Sequence, residues 1–315
     1  MDFIRKYSDI SDSLNTLYEK GLAKGETVGF SQMDNLISFK KGATSYIYGT
    51  PGSGKSEFWW ECLIALTKKN KWKHLIFSPE TGTPTEIFAE ILHKWSGKAF
   101  FDLDGNRLGK MTQAEMFRYG QEVGEYFYVM DTGEKDITLT DFYASVENFD
   151  IQFDTVTTDP FNEVKHELNG EARDMYMARV LGKIRMYSRK FNYHHAIIMH
   201  NARETGSKRE QDGISYYPPA DPRYIDGGET AFRKGEQMIC VWRYPKGFKD
   251  EFGVVYEANQ VKIIVQKTKP KGIGNLGEFD LFFDKYKNCY YEEINGIKSY
   301  AGNYVTFELP KQLPF

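Results

Sequence analysis

Gly49-Thr50-Pro51-Gly52-Ser53-Gly54-Lys55-Ser56 spells G-x-x-x-x-G-K-S between two contrasting flanks. Ala43-Thr44-Ser45-Tyr46-Ile47-Tyr48 before it reads as a buried strand. Ser56 to Thr67 after it reads as a helix with Trp59, Leu63 and Leu66 on one stripe. Strand, Gly-rich turn and helix in that order make the context of a phosphate-binding loop. Its glycines let successive backbone N–H groups curl around phosphate oxygens. Lys55 then reaches the β- and γ-phosphates of a nucleotide, and the Ser56 hydroxyl is a ligand for Mg²⁺. Gly49, Thr50, Pro51, Gly52, Ser53, Gly54, Lys55 and Ser56 are therefore the expected nucleotide-binding residues.

Outward from this loop, strand-like and helix-like runs alternate. His74-Leu75-Ile76-Phe77-Ser78 is a second buried strand ending in Pro79-Glu80, followed by a helix from about Pro84 to Trp95. Residues 97–125 are polar, with helical character from Gln113 to Tyr119. Tyr126 to Met130 and Phe153 to Thr158 read as strands, the latter ending at Asp159-Pro160. A helix from about Glu171 to Phe191 leads to Ala196-Ile197-Ile198-Met199, which ends at His200. This alternation predicts an α/β fold with a mostly parallel central sheet and helices on both faces. Residues 202–236 are rich in charge, Gly and Pro and predict a long irregular segment. Beyond it Met238–Tyr244, Val254–Glu257, Val261–Gln266, Glu278–Phe283 and Cys289–Glu292 predict an antiparallel C-terminal extension. Ahead of the core, residues 3–20 read as a thin amphipathic helix with Ile4, Ile10, Leu14 and Leu17 on its stripe. The expected organisation is a docking or linker helix at 1–25 and an ATPase core at 26–315.

The 315 residues suit a single α/β domain with insertions, and 41% hydrophobic content supplies its core. A net charge of −3 excludes a global positive field, so any nucleic-acid site is local. Cys62, Cys240 and Cys289 are far apart and form no C-x-x-C, which argues against a disulfide framework or a zinc site and suits a reducing cytosol. The expected localisation is cytoplasmic. No run approaches bilayer-spanning length, so no membrane partner is expected.

In an open α/β sheet, ligands bind at the carboxyl ends of the strands. Glu80, Asp159 and His200 all end strands, so adjacent parallel strands bring them to the rim that holds Lys55. Asp159 suits Mg²⁺ binding beside Ser56, or else begins an Asp-Pro turn. Glu80 suits the orientation or deprotonation of attacking water, or else is a helix N-terminal carboxylate. His200 suits a hydrogen bond to the γ-phosphate, or else packs at a strand end. His194 and His195 are structural. Arg203, Lys208, Arg209 and Arg223, interleaved with Tyr216, Tyr217 and Tyr224, suit single-stranded nucleic acid or a solvated loop. Lys267 and Lys269 at a strand end are either an edge device or cations that reach a neighbour's nucleotide.

Taken in order, these stretches resemble the hexameric replicative helicases with a RecA-type core, in particular the phage primase–helicase and Twinkle branch, and more distantly the DnaB type. The resemblance runs over roughly residues 28–292, through Gly29-Phe30 to Asp34, Phe77-Ser78-Pro79-Glu80, Thr158-Asp159-Pro160-Phe161-Asn162, Ile198-Met199-His200, Gly227-Gly228 and Val265-Gln266-Lys267-Thr268-Lys269. It implies a RecA-like P-loop NTPase core, a homo-hexameric ring with ATP and Mg²⁺ at each subunit interface, and ATP-driven movement on single-stranded DNA. It further implies that Glu80 is the catalytic carboxylate, His200 the γ-phosphate sensor, the segment after His200 the DNA loop, and Lys267 and Lys269 the pair acting on the neighbour's ATP. A primase or loader is the implied partner.

Three departures stand out. Lysine at 269 replaces the family's usual arginine and loses the bidentate fork. There is no primase or helical collar domain ahead of the core, which suits a phage or mobile element. The 202–226 segment is longer than a typical channel loop. Two alternatives remain beside the motor: a RecA-like recombination or annealing ATPase, and an assembly module in which nucleotide only cements a ring.

Overall fold

The phosphate-loop strand sits near the middle of a ten-stranded sheet, and that central place follows from its sequence. Every residue of Thr44–Gly49 is buried, as a strand covered on both faces must be. The computed structural model describes residues 4–102, 109–133, 135–201, 208–269 and 273–301. In chain order the elements are α1 (Tyr7–Lys20), α2 (Ser31–Asp34), β1 (Thr44–Gly49), α3 (Lys55–Asn70), β2 (His74–Phe77), α4 (Pro84–Ser96), α5 (Gln113–Gly124) and β3 (Phe127–Val129). Then come α6 (Leu139–Asn148), β4 (Thr155–Thr158), α7 (Arg173–Phe191), β5 (His194–His200), β6 (Arg209–Gln211), β7 (Ile214–Tyr216) and α8 (Gly228–Lys234). The chain continues through β8 (Gln237–Arg243), β9 (Gln260–Thr268), β10 (Gly277–Asp284), β11 (Cys289–Ile294) and β12 (Ile297–Tyr300).

The sheet order is β12-β11-β10-β9-β8-β1-β5-β4-β2-β3. From β3 to β8 all neighbours are parallel, and from β8 to β12 all are antiparallel. Alternate residues of the central strands feed two cores. Ile47, Ile198, Ile239 and Val241 pack with α3, α4 and α5 on one face. Tyr46, Tyr48, Ile197, Met199, Met238 and Cys240 pack with α6, α7 and α8 on the other. This is the two-residue period of a strand used on both sides. The three cysteines are free and buried.

Several elements depart from the sequence reading. Helix α3 is buried all round from Phe58 to Thr67 rather than along one stripe. It lies between the sheet and the α4–α5 layer, so no face meets water. Val254–Glu257 forms no strand; it makes one isolated bridge from Val255 to Lys249, and Tyr256 instead stacks on Tyr244 with centroids 4.1 Å apart. The segment after β5 is more ordered than its composition predicts, with the β6–β7 hairpin and α8 within it. Strand β8, assigned by its sequence to the antiparallel extension, pairs parallel to β1. Helix α1 buries none of its residues, and Ile10, Leu14 and Leu17 are more than 40% exposed.

Candidate nucleotide-binding site

The loop from Gly49 to Ser56 turns sharply from β1 into α3. Gly52 and Gly54 have φ of 72° and 91°, a left-handed backbone that side-chain-bearing residues rarely take. Gly54 caps the N-terminus of α3, so the helix dipole and its first free N–H groups face the loop's concavity. The Lys55 ammonium lies across this loop, donating to the Thr50 carbonyl at 3.2 Å and the Gly49 carbonyl at 3.4 Å. Burial lowers the Lys55 pKa, while the Asp159 and Glu80 carboxylates oppose that shift.

Register sets the rest of the rim. Gly49 of β1 lies opposite His200 of β5, and Phe77 of β2 lies opposite Thr158 of β4. The chain therefore leaves all four strands at one edge. There Lys55, Ser56, Glu80, Asp159 and His200 line one open cleft of about 420 Å³, together with Arg243. His200 Nε2 is 2.8 Å from Glu80 Oε2. Asp159 is 4% exposed, and its Oδ2 accepts from the Ser78 hydroxyl at 3.1 Å. Desolvation raises the Asp159 pKa, opposed by hydrogen bonds from Ser56 and Ser78 and by the Lys55 charge. Trp59, one turn into α3, donates through Nε1 to the Thr157 hydroxyl at 2.8 Å. That buried bond ties the loop's helix to the strand that ends in Asp159.

These groups fit a magnesium nucleotide. Ser56 and Asp159 are neighbouring hard oxygen donors at the floor of the cleft. No cluster of three or more His, Cys, Asp or Glu that suits a metal occurs among the described residues. Magnesium suits such a sparse donor set, because it commonly takes one or two protein oxygens and completes its shell with phosphate and water.

The other candidate residues lie apart from the cleft. Lys267 is 9% exposed and donates to the carbonyls of Phe232 and Arg233 at the end of α8. Burial lowers its pKa, and Lys269 adds to that. Lys269 is exposed, and its backbone N–H donates to the Glu236 carbonyl at 2.7 Å. Lys208 and Arg209 are exposed, with the Lys208 ammonium 5.4 Å from the Tyr217 ring centroid. Arg223 is exposed but held by Asp221, with Nη2 to Oδ2 at 2.5 Å. Arg203 lies outside the described residues. Tyr216 packs against Phe248 and Trp242, whereas Tyr224 is 54% exposed. The excursion after His200 returns beside it, where Asn201 bridges to Ile225 and the Asp226 N–H donates to the His200 carbonyl at 3.3 Å.

Arg243 is the cleft residue that sequence reasoning missed. It ends β8, and only the parallel pairing of β8 with β1 sends that end to the Lys55 rim. A strand-end cation was the available signal, but its direction in the sheet was not.

No protein-family model matches the chain. Over 295 residues it is 24% identical to a chloroplastic/mitochondrial Twinkle homologue of Arabidopsis thaliana, covering 90% of this chain and 39% of that protein. The chain thus spans about two fifths of that relative. Among solved structures it is similar to an isolated ATPase domain, with a TM-score of 0.67 and 15% identity over 89% of this chain and 97% of that one. It is also similar to a DnaB-like replicative helicase studied with its primase interactions, with a TM-score of 0.63 and 14% identity over 92% of this chain and 67% of that one. The fold is that of a RecA-like ATPase domain of the DnaB-like helicases, with an antiparallel extension at its C-terminal side.

Proposed function

We propose that this protein is an ATP-driven helicase motor that moves on single-stranded DNA as a ring-shaped homo-oligomer. The observation that carries the reading is the meeting of Lys55, Glu80, Asp159 and His200, from the ends of four parallel strands, at one cleft. The Twinkle homologue and the DnaB-like fold support it. The loop amides and Lys55 bind the triphosphate and offset its charge. Ser56 and Asp159 would hold Mg²⁺, which supplies charge neutralisation at the bridging phosphate oxygens. Glu80 orients the attacking water and takes its proton. His200 holds Glu80 at 2.8 Å and begins the segment carrying Lys208, Arg209 and Arg223. A change in the Glu80–His200 contact at hydrolysis is thereby passed to the DNA-binding segment. Exposed Lys269, distant from its own cleft, suits a cation that acts on a neighbour's ATP. The DnaB-like structure concerns interactions with primase, which makes a primase the candidate partner.

The test measures ATP hydrolysis with and without single-stranded DNA, alongside displacement of a labelled strand from a forked duplex. The reading expects DNA to stimulate hydrolysis and ATP to drive displacement. Annealing without displacement would move the protein to the recombinase class. Hydrolysis unaffected by DNA would remove the motor.

A further inference from the structure

Tyr290 of β11 is wholly buried, yet its hydroxyl lies at the phosphate loop rather than in the apolar core. A Cβ built on Gly54 would sit 2.7 Å from that hydroxyl and 3.5 Å from Nη2 of Arg243. The phenol therefore occupies the space a side chain at Gly54 would need, between the loop and the Arg243 guanidinium.

The strand carrying Tyr290 is fastened to the loop's own helix. The Tyr290 backbone N–H donates to Oε2 of Glu61 on α3 at 3.1 Å. Lys94 of α4 pairs with Glu57 of α3 at 2.5 Å and donates to the Asn288 carbonyl at 2.6 Å. Lys94 is 2% exposed, so these contacts lie in low dielectric and hold firmly. The Phe283 ring meets the Tyr290 ring edge-on, with centroids 5.1 Å apart. The phenol is thus locked in place before any ligand arrives.

Packing alone does not account for the hydroxyl. It makes no well-formed hydrogen bond among the described residues. A phenylalanine would fill the same space without burying a polar oxygen, which is costly. Burial and the Glu57 and Glu61 carboxylates push the phenol's pKa up, while the Arg243 guanidinium works in the other direction. A phenolic oxygen accepts hydrogen bonds, and a guanidinium offers five donors in a planar fork.

We propose that Tyr290 is a positioning residue of the cleft: its hydroxyl seats the Arg243 guanidinium against the phosphate loop, so that the antiparallel extension contributes to nucleotide affinity. This rests on the nucleotide-binding reading of the cleft. Arg243 is the group that meets the nucleotide, and Tyr290 acts through it.

The experiment is a double-mutant cycle on the full chain, titrating a fluorescent ATP analogue with Mg²⁺ onto wild type, Tyr290→Phe, Arg243→Ala and the double variant. Tyr290→Phe should weaken binding about fivefold, as loss of one hydrogen bond to a charged group predicts. The KM for ATP should rise in parallel, with kcat changed by less than about twofold. On the Arg243→Ala background the same change should have no further effect. A purely structural tyrosine would weaken binding equally on both backgrounds, and that result overturns the proposal. So does wild-type affinity in Tyr290→Phe. A wild-type protein that binds no nucleotide would overturn the cleft reading as well.

Discussion

Acidification from pH 7 to pH 5 should destabilise this protein through three buried histidines, before most of its carboxylates titrate. His74, His194 and His195 have no exposed surface. Burial lowers their pKa values from 6.5 to about 3, about 4 and about 3 respectively. Each folded pKa lies below the unfolded one, so between the two the unfolded chain binds more protons. Their contribution is complete above about pH 6.5 and is lost as pH falls towards about 4. At pH 5 each unfolded imidazole gains about 2 kcal/mol from protonation that the folded one does not. Three such groups amount to about 6 kcal/mol, comparable with the whole stability of many domains.

The local partners bear this out. His74 is held by the hydroxyls of Thr67 at 2.8 Å and Thr155 at 2.7 Å. His194 lies 2.9 Å from the Lys40 carbonyl and 3.0 Å from the Ser45 hydroxyl. His195 has only the Tyr143 hydroxyl at 3.3 Å, and its Nε2 has no hydrogen-bond partner among the described residues. No carboxylate is among these partners to stabilise a cation. Urea unfolding followed by circular dichroism at pH 7, 6 and 5 should show stability falling by about 4 kcal/mol per pH unit near pH 5, the slope for uptake of three protons. His195→Phe should reduce that slope by about a third. A stability unchanged between pH 7 and pH 5 would refute the argument.

Glu80→Gln should lower kcat for ATP by about 10²- to 10⁴-fold while leaving affinity for the magnesium nucleotide nearly unchanged, measured by steady-state kinetics and direct titration. The two lysines of β9 and its end should separate by assay. Lys267→Met leaves the Phe232 and Arg233 carbonyls without their donor and should lower Tm by roughly 2 to 4 °C. Lys269→Ala should leave Tm within about a degree, since the side chain is exposed, yet reduce ATP hydrolysis by roughly a thousandfold if it serves a neighbouring site. Equal losses of Tm in both variants would count against this division of roles.

Much of the fold was legible because local rules pointed one way. The strand–loop–helix around Lys55 followed from glycine spacing and buried runs on either side. Helices α4 and α5 start where Thr83 and Thr112 cap with Glu86 and Glu115. Helix α6 has the same signature in Thr138 and Asp141, a local signal that the strand–helix alternation left unused. The β11–β12 hairpin has one too, in Asn295-Gly296, both at positive φ. By contrast, α8 has seven residues and buries only Ala231, too little for a helical period to emerge.

The sequence by itself determined a phosphate-binding loop, an alternating α/β architecture and polar strand ends at Glu80, Asp159 and His200, because each depends on residues close together in the chain. Only the tertiary structure decided that these ends share one edge, through the order β8-β1-β5-β4-β2. It alone turned β8 parallel to β1, which brought Arg243 to the cleft, and laid β11 against α3, which brought the Tyr290 hydroxyl to Gly54. Strand direction and the packing of distant segments are set by how the whole chain buries its apolar surface, and no local pattern records them.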